Sequence, residues 1–389
     1  MDDRQQTTDH SKKTWSMVYG LWSSRYWHDF FYRNIVTDNR RHRLLKLCLL
    51  FISFLVIIGQ NILLFMYSKN LLKKRKLSSK VISIGGITLG GAGKTPVVEL
   101  VVNMLIKKGK RVAVLSRGYG RARECEMKLV SNGKKILCDV KEAGDEPYLL
   151  AKNLKDTVVF AGKNRYETGK IAEEKLNIDT VVLDDGFQHW RLHRDVNIVV
   201  INASSPFGNG YVFPRGNLRE PYKCLKRADC FILTKIDMIK NAEEKEIIKK
   251  KLIEINDSAQ IIETIHKPAY LENIVGEEHL DIKSIKGEEV IALSSLGDPI
   301  SFENTLEHVG AKIVERIRYP DHYWYTKDDM NNIEAKRQEL DVKFIVTTQK
   351  DAVRLQKVET YYNTSLLVLR IEVEVISGSD RLEKLINAV

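Results

Sequence analysis

Val81-Ile82-Ser83-Ile84-Gly85-Gly86-Ile87-Thr88-Leu89-Gly90-Gly91-Ala92-Gly93-Lys94-Thr95 is an apolar run of strand length that enters a glycine-rich turn and ends on Gly-Lys-Thr. In such a turn the backbone N–H groups of Thr88, Gly90, Gly91, Ala92 and Gly93 can converge on phosphate oxygens. Lys94 can neutralise β/γ charge, and the Thr95 hydroxyl can ligate Mg²⁺. The full pattern G-x-x-x-x-G-K-[ST] asks for glycine at position 88, where this chain has threonine, so the match is to its second half. A strand before the turn and a helical pattern after it favour a phosphate loop over a ligand-free glycine turn.

Outward from this loop, apolar strand-length runs at 81–84, 112–115, 157–161, 180–183, 196–201 and 230–233 alternate with helical patterns such as 96–108 and 167–176. Continuous apolar strands separated by helices predict a parallel sheet covered on both faces. A charged helical stretch at 240–255 precedes further strands at 289–293, 312–318, 343–347 and 366–371. The expected fold is α/β: a P-loop NTPase-like parallel sheet core with a second, smaller α/β domain and an N-terminal membrane helix. The boundaries read as a polar and aromatic extension at 1–43, a membrane-anchoring helix at 44–66 and a basic linker at 67–80. A P-loop domain follows at 81–195, and a second domain at 196–389 closes over the site.

Residues 44–66, LLKLCLLFISFLVIIGQNILLFM, carry one charge, Lys46, and are about long enough to cross a bilayer. Roughly 40 polar residues before the run and no small-residue cleavage site after it argue against a signal peptide. A buried helix or a shallow interfacial one remains the alternative. Arg40, Arg41 and Arg43 precede the run, and Lys69, Lys73, Lys74, Arg75, Lys76 and Lys80 follow it. That balance places the body on the cytoplasmic side, against anionic lipid. The formal charge of +11 is explained largely by these flanks, and no nucleic-acid-binding motif is present. The five cysteines show no C-x-x-C spacing, which predicts reduced thiols and no zinc or disulfide framework.

Polar groups gather where strands end. Asp184 and Asp185 close the run 180–185, Asp184 in the position of a carboxylate that holds Mg²⁺; a self-capped Asp-Gly turn is the alternative. Asp145 and Glu146 open a helix-like stretch, as capping acids do and as a proton-accepting base would. Arg117 and Arg121 follow another strand, and Arg215 and Arg219 lie in Pro-Arg-Gly-Asn-Leu-Arg-Glu-Pro; both segments suit an anionic group or a solvated loop. His322 in Pro-Asp-His-Tyr carries little by itself.

GGITLGGAGKTPVVEL, LSRGYGR, GDEPYLLA, FAGKNRYE, VVLDDGFQHWRLHRDVNIVVIN, FPRGNLREP, ADCFILTK, YPDHYWYT and VTTQKDAVRL, in this order, resemble the tetraacyldisaccharide 4′-kinase family of lipid A biosynthesis. The resemblance implies an ATP- and Mg²⁺-dependent kinase acting on an acylated disaccharide at the bacterial inner membrane, with its catalytic domains on the cytoplasmic face. It implies Asp145 as base assisted by His322, Lys94 and Thr95 at the phosphates, and Thr95, Glu146 and Asp184 near Mg²⁺. Arg117, Tyr119, Asp185, Gln188, His189, Arg215 and Arg219 become candidates for the lipid substrate. Membrane lipids are the further partners, with no nucleic acid, and the oligomeric state is not legible. Gly86 and Gln349 depart from the family's usual asparagine and glutamate. The rival reading is a membrane-associated GTPase using Thr234-Lys235-Ile236-Asp237 to read guanine with Leu293-Ser294-Ser295 as partner, although Asp184-Asp185-Gly186-Phe187 lacks D-x-x-G spacing.

Overall fold

The computed structural model describes residues 43–121, 124–239, 241–274, 279–355 and 365–389. The N-terminal extension, apart from Arg43, lies outside them. The apolar segment is one helix, α1 (Arg43–Ser68), with a mean hydropathy of 2.5 over its most apolar window and little of that window buried. Then come β1 (Lys80–Gly85), α2 (Lys94–Lys107), β2 (Val112–Ser116), β3 (Lys128–Asn132), α3 (Val140–Ala143), α4 (Asp145–Asn153), β4 (Val158–Ala161), α5 (Arg165–Leu176), β5 (Thr180–Asp184), β6 (Val196–Asn202) and β7 (Cys230–Thr234). The rest comprises α6 (Ala242–Ile255), β8 (Gln260–Asn273), β9 (His279–Leu280), β10 (Glu289–Ser294), α7 (Pro299–His308), β11 (Lys312–Arg318), α8 (Lys327–Glu339), β12 (Phe344–Thr348), α9 (Gln349–Leu355), β13 (Leu366–Ser377) and α10 (Ser379–Asn387).

Among the described residues all the strands join one sheet in the order β11-β10-β12-β13-β8-β7-β6-β1-β5-β2-β4-β3, with β9 on β8. Strand pairs are parallel except β13 with β8, β3 with β4, and β8 with β9. Two parallel blocks are thus fused through one long antiparallel ribbon. β8 starts parallel to β7 and then runs antiparallel along β13. The expected division at 195/196 coincides with no break in the sheet, since β6 pairs with β1 and β7 with β6. β6 and β7 therefore side with the phosphate-loop block, and we propose that the units meet within β8.

Apolar residues on successive positions face opposite layers, as a doubly covered sheet requires. Ile82, Ile84, Val182 and Ile198 pack under the α2 stripe Val97, Val98, Val101, Val102 and Leu105. Val81, Val181 and Leu183 face the other way, with Ala172 of α5. The second block repeats this: Ile291, Leu293 and Ile345 lie in one core, Val290, Ala292 and Val346 in another. β1 sits between β5 and β6, where chain connections leave in opposite directions, so the loop after β1 opens into the crevice at the sheet's carboxyl edge.

Candidate active site

The phosphate loop is held from three directions. Leu89 N–H donates to Asn217 O at 2.7 Å and Arg219 N–H to Ile87 O at 2.6 Å, which straps its first half to the 217–219 segment. Thr234 Oγ1 donates to Ala92 O at 2.9 Å and Lys235 Nζ to Gly91 O at 3.3 Å. These two residues of the rival guanine-reading motif thus brace the loop. Gly93 stands before α2 at φ 77° with no side-chain cap, which leaves the helix's first N–H groups without a capping side chain. A Cβ on Gly93 would come within 2.6 Å of His266 Nε2. At Gly86 a Cβ would stand 3.2 Å from Val200 O, so this chain's glycine accompanies a close backbone approach.

Asp184 ends β5 opposite Ile84 and is buried, its Oδ2 accepting from Ser116 Oγ at 2.8 Å. Burial, with the negative charges of Glu146 and Asp185, pushes its carboxyl up to about 7. Asp185, at φ 53°, sits 3.3 Å from Lys94 Nζ and 2.5 Å from Arg219. Burial would raise its pKa, but Arg219 and Lys94 hold it well below the usual carboxylate range.

The second block brings His322 to Asp145. His322 Nδ1 lies 2.8 Å from Asp145 Oδ2, and its Nε2 lies 3.1 Å from Lys350 Nζ. Lys350 also reaches Glu146 Oε1 at 3.3 Å and Asp321 Oδ1 at 3.7 Å. The fully buried Arg354 donates to Asp145 Oδ2 at 2.6 Å and to Asp351 Oδ1 at 2.7 Å. Asp145 Oδ1 accepts from Glu146 N–H at 2.9 Å. Burial alone would raise the Asp145 pKa; His322, Lys350 and Arg354 hold it far down. Burial and Lys350 oppose protonation of His322, Asp145 favours it, and the balance is upward. The 2.8 Å contact directs a proton on Nδ1 at Asp145, whose charge the ring thereby supports. Glu146 joins the two groups, paired with Lys350 and bearing electrostatically on Asp184.

The remaining candidates separate. Tyr119 is half-exposed with its ring edge-on to His322, centroids 6.0 Å apart. Gln188 Nε2 donates to Gly86 O at 3.0 Å, and Arg117 is exposed. His189 is pushed down to about 4 by burial and by Arg165 and Arg194. Arg219 belongs to the phosphate-loop group, whereas Arg215 is buried, stacked over Tyr211 at 4.5 Å, with its N–H donating to Ser53 Oγ of α1 at 2.9 Å. Ser295, one of the proposed guanine-reading residues, donates instead to Asp351 at 2.6 Å and accepts from Arg354 at 2.7 Å. Lys350 and Arg354 escaped the sequence reading. Their signal was two cations one helical turn apart, directly after a strand's carboxyl end.

A phosphate loop, acids at the neighbouring strand end and a second block carrying cations to the same crevice define a P-loop phosphotransferase. The family described as tetraacyldisaccharide-1-P 4′-kinase matches residues 45–389. A tetraacyldisaccharide 4′-kinase of Halothermothrix orenii is 37% identical over 372 residues, 91% of this chain and 96% of that one. One from Syntrophus aciditrophicus is 40% identical over 301 residues, 75% and 80% of the two chains. The crystal structure of the "apo" form of LpxK from Aquifex aeolicus in complex with ATP covers 88% of this chain and 99% of its own, at 33% identity and a TM-score of 0.70. The chain belongs to the tetraacyldisaccharide 4′-kinase family.

Proposed function

We propose that the protein transfers the γ-phosphate of ATP to the 4′-hydroxyl of a tetraacyldisaccharide 1-phosphate, at the cytoplasmic face of a bacterial inner membrane. The observation that carries this reading is the meeting of the phosphate-loop group with Asp145, His322 and Lys350 in one crevice, in a chain that also carries an exposed apolar helix.

Mg²⁺ fits the residues present. Thr95, Asp184 and Glu146 offer hard oxygen donors, and burial, with repulsion from Glu146 and Asp185, already raises Asp184. When bound, Mg²⁺ would neutralise charge on the β- and γ-phosphates.

The chain's own groups do the rest. Lys94 and the N–H groups at the start of α2 hold the phosphates from one side, while Lys350 offers a second cation from the other. We infer that these two lysines flank the transferring phosphoryl group, where charge neutralisation counts most. The acceptor oxygen bonds to phosphorus, the bond to the β-phosphate oxygen breaks, and the hydroxyl proton passes to Asp145. Three donors occupy Asp145, leaving about one of its roughly four acceptor positions for that proton. Its low basicity suits a loose transition state, in which the proton leaves late. His322 orients Asp145 and supports its charge.

Incubation of the protein with γ-labelled ATP or GTP and a Gram-negative membrane lipid extract tests the proposal. A labelled glycolipid formed from ATP is expected. Preferential use of GTP, or hydrolysis without lipid labelling, would overturn it.

A further inference from the structure

The segment 212–219 is hydrogen-bonded on two sides. Toward the site, Asn217 O and Arg219 N–H strap the phosphate loop, and the Arg219 side chain meets Asp185, itself paired with Lys94. Toward the membrane, it is clasped by α1. Ser53 Oγ contacts Val212 O at 2.7 Å and accepts from Arg215 N–H at 2.9 Å, and Gln60 Nε2 donates to Arg219 O at 2.7 Å. Between them, Val56 and Ile57 pack into the core that holds Val212, Leu218 and Ile87. Positions 53, 56, 57 and 60 lie on one helical face, while Leu47, Phe51 and Phe54 on the rest of the helix are exposed.

Gln60 is an odd choice for stability. Its Nε2 is bonded, but Oε1 is buried without a hydrogen-bond partner. A half-satisfied amide in an apolar helix gains little over leucine and loses the desolvation of one acceptor. Polar groups kept inside membrane segments usually serve function.

We propose that Gln60 of α1 is a positioning residue for the phosphate-loop group. By holding the Arg219 carbonyl it sets the register of the Arg219–Asp185–Lys94 chain, so the seating of the helix and the geometry of the phosphate loop are one structure. The inference rests on the functional reading above and adds to it a membrane-segment residue that acts on the reaction.

The test is Gln60→Leu in the full-length protein, reconstituted in phospholipid vesicles. Leucine preserves bulk and apolarity, so membrane sedimentation and Tm stay at parental values or rise. The rate constant kcat/KM toward the acylated disaccharide falls about three- to tenfold, the worth of one neutral hydrogen bond in rate. ATP affinity changes less than about twofold, and amides of residues 212–219 exchange faster with solvent. Parental kinetics in the variant would overturn the proposal. So would a loss of rate matched by a fall in Tm, because that is what a merely structural contact produces. The functional reading is judged on the parent protein alone: if the parent labels no glycolipid, that reading fails and takes this inference with it.

Discussion

Replacing Lys350 with methionine keeps the unbranched side chain out to Cε and removes its charge. The ammonium stands 3.1 Å from His322 Nε2 and 3.3 Å from Glu146 Oε1. The gross attraction to Glu146 is about 5 kcal/mol at an effective dielectric constant near 20. Desolvation cancels most of it, and truncating a charge-assisted contact costs about 1.5–3 kcal/mol of stability, or a Tm lower by a few degrees. The kinetic effect is separate. A preorganised donor lost from beside a developing charge lowers kcat by roughly 10²–10³. The assay is steady-state transfer at saturating ATP and acceptor, with ATP affinity measured by calorimetry and Tm by scanning fluorimetry. Lys350→Arg should recover part of kcat, since it restores charge with altered geometry. A Lys350→Met protein that keeps kcat within about fivefold of the parent would refute the placement of a second cation at the phosphoryl group.

Asp145→Ala and His322→Ala should each lower kcat strongly with ATP binding retained, and the double variant should be little worse than the more damaged single one, as expected of residues acting as a unit; multiplicative losses in kinetic assays would show separate roles. Chelation of Mg²⁺ should stop transfer, and Asp184→Asn should raise the Mg²⁺ concentration needed for half-maximal rate, measured by Mg²⁺ titration. His189 and His266 are pushed down to about 4 and about 3, chiefly by burial. The unfolded chain therefore binds protons near pH 6.5 that the folded chain refuses, and stability falls as pH drops from about 6.5 toward 4. His266→Gln should flatten that slope in denaturant titrations at stepped pH, and an unchanged slope would count against the buried neutral ring.

Much of the fold could be read locally. The run 81–95 announced a strand, a glycine-rich turn and a helix through residue types alone, and the structure has the strand at 80–85 and the helix from Lys94. The apolar segment 44–66 announced α1. What could not be read was register over distance. β8 joins both blocks by being parallel at one end and antiparallel along β13, and its mixed polar and apolar sequence gives no sign of this. The same limit applied to the site. Asp145 and His322 had weak local claims, and only the closure of the second block onto the first places them 2.8 Å apart. Lys350 and Arg354 stayed hidden because a lysine and an arginine on a short helix read as a solvated face until tertiary packing buries Arg354 and partly covers Lys350.

The most direct measurement is the regiochemistry of transfer. The purified full-length protein is given ATP, Mg²⁺ and a defined tetraacyldisaccharide 1-phosphate, beside a Lys94→Ala control, and the product is located by phosphorus NMR and mass spectrometry. The expected product is the disaccharide carrying a new monoester at the 4′ position, absent with Lys94→Ala. Phosphate at another position, undiminished transfer by the control, or ATP turnover with the disaccharide unchanged would contradict the account.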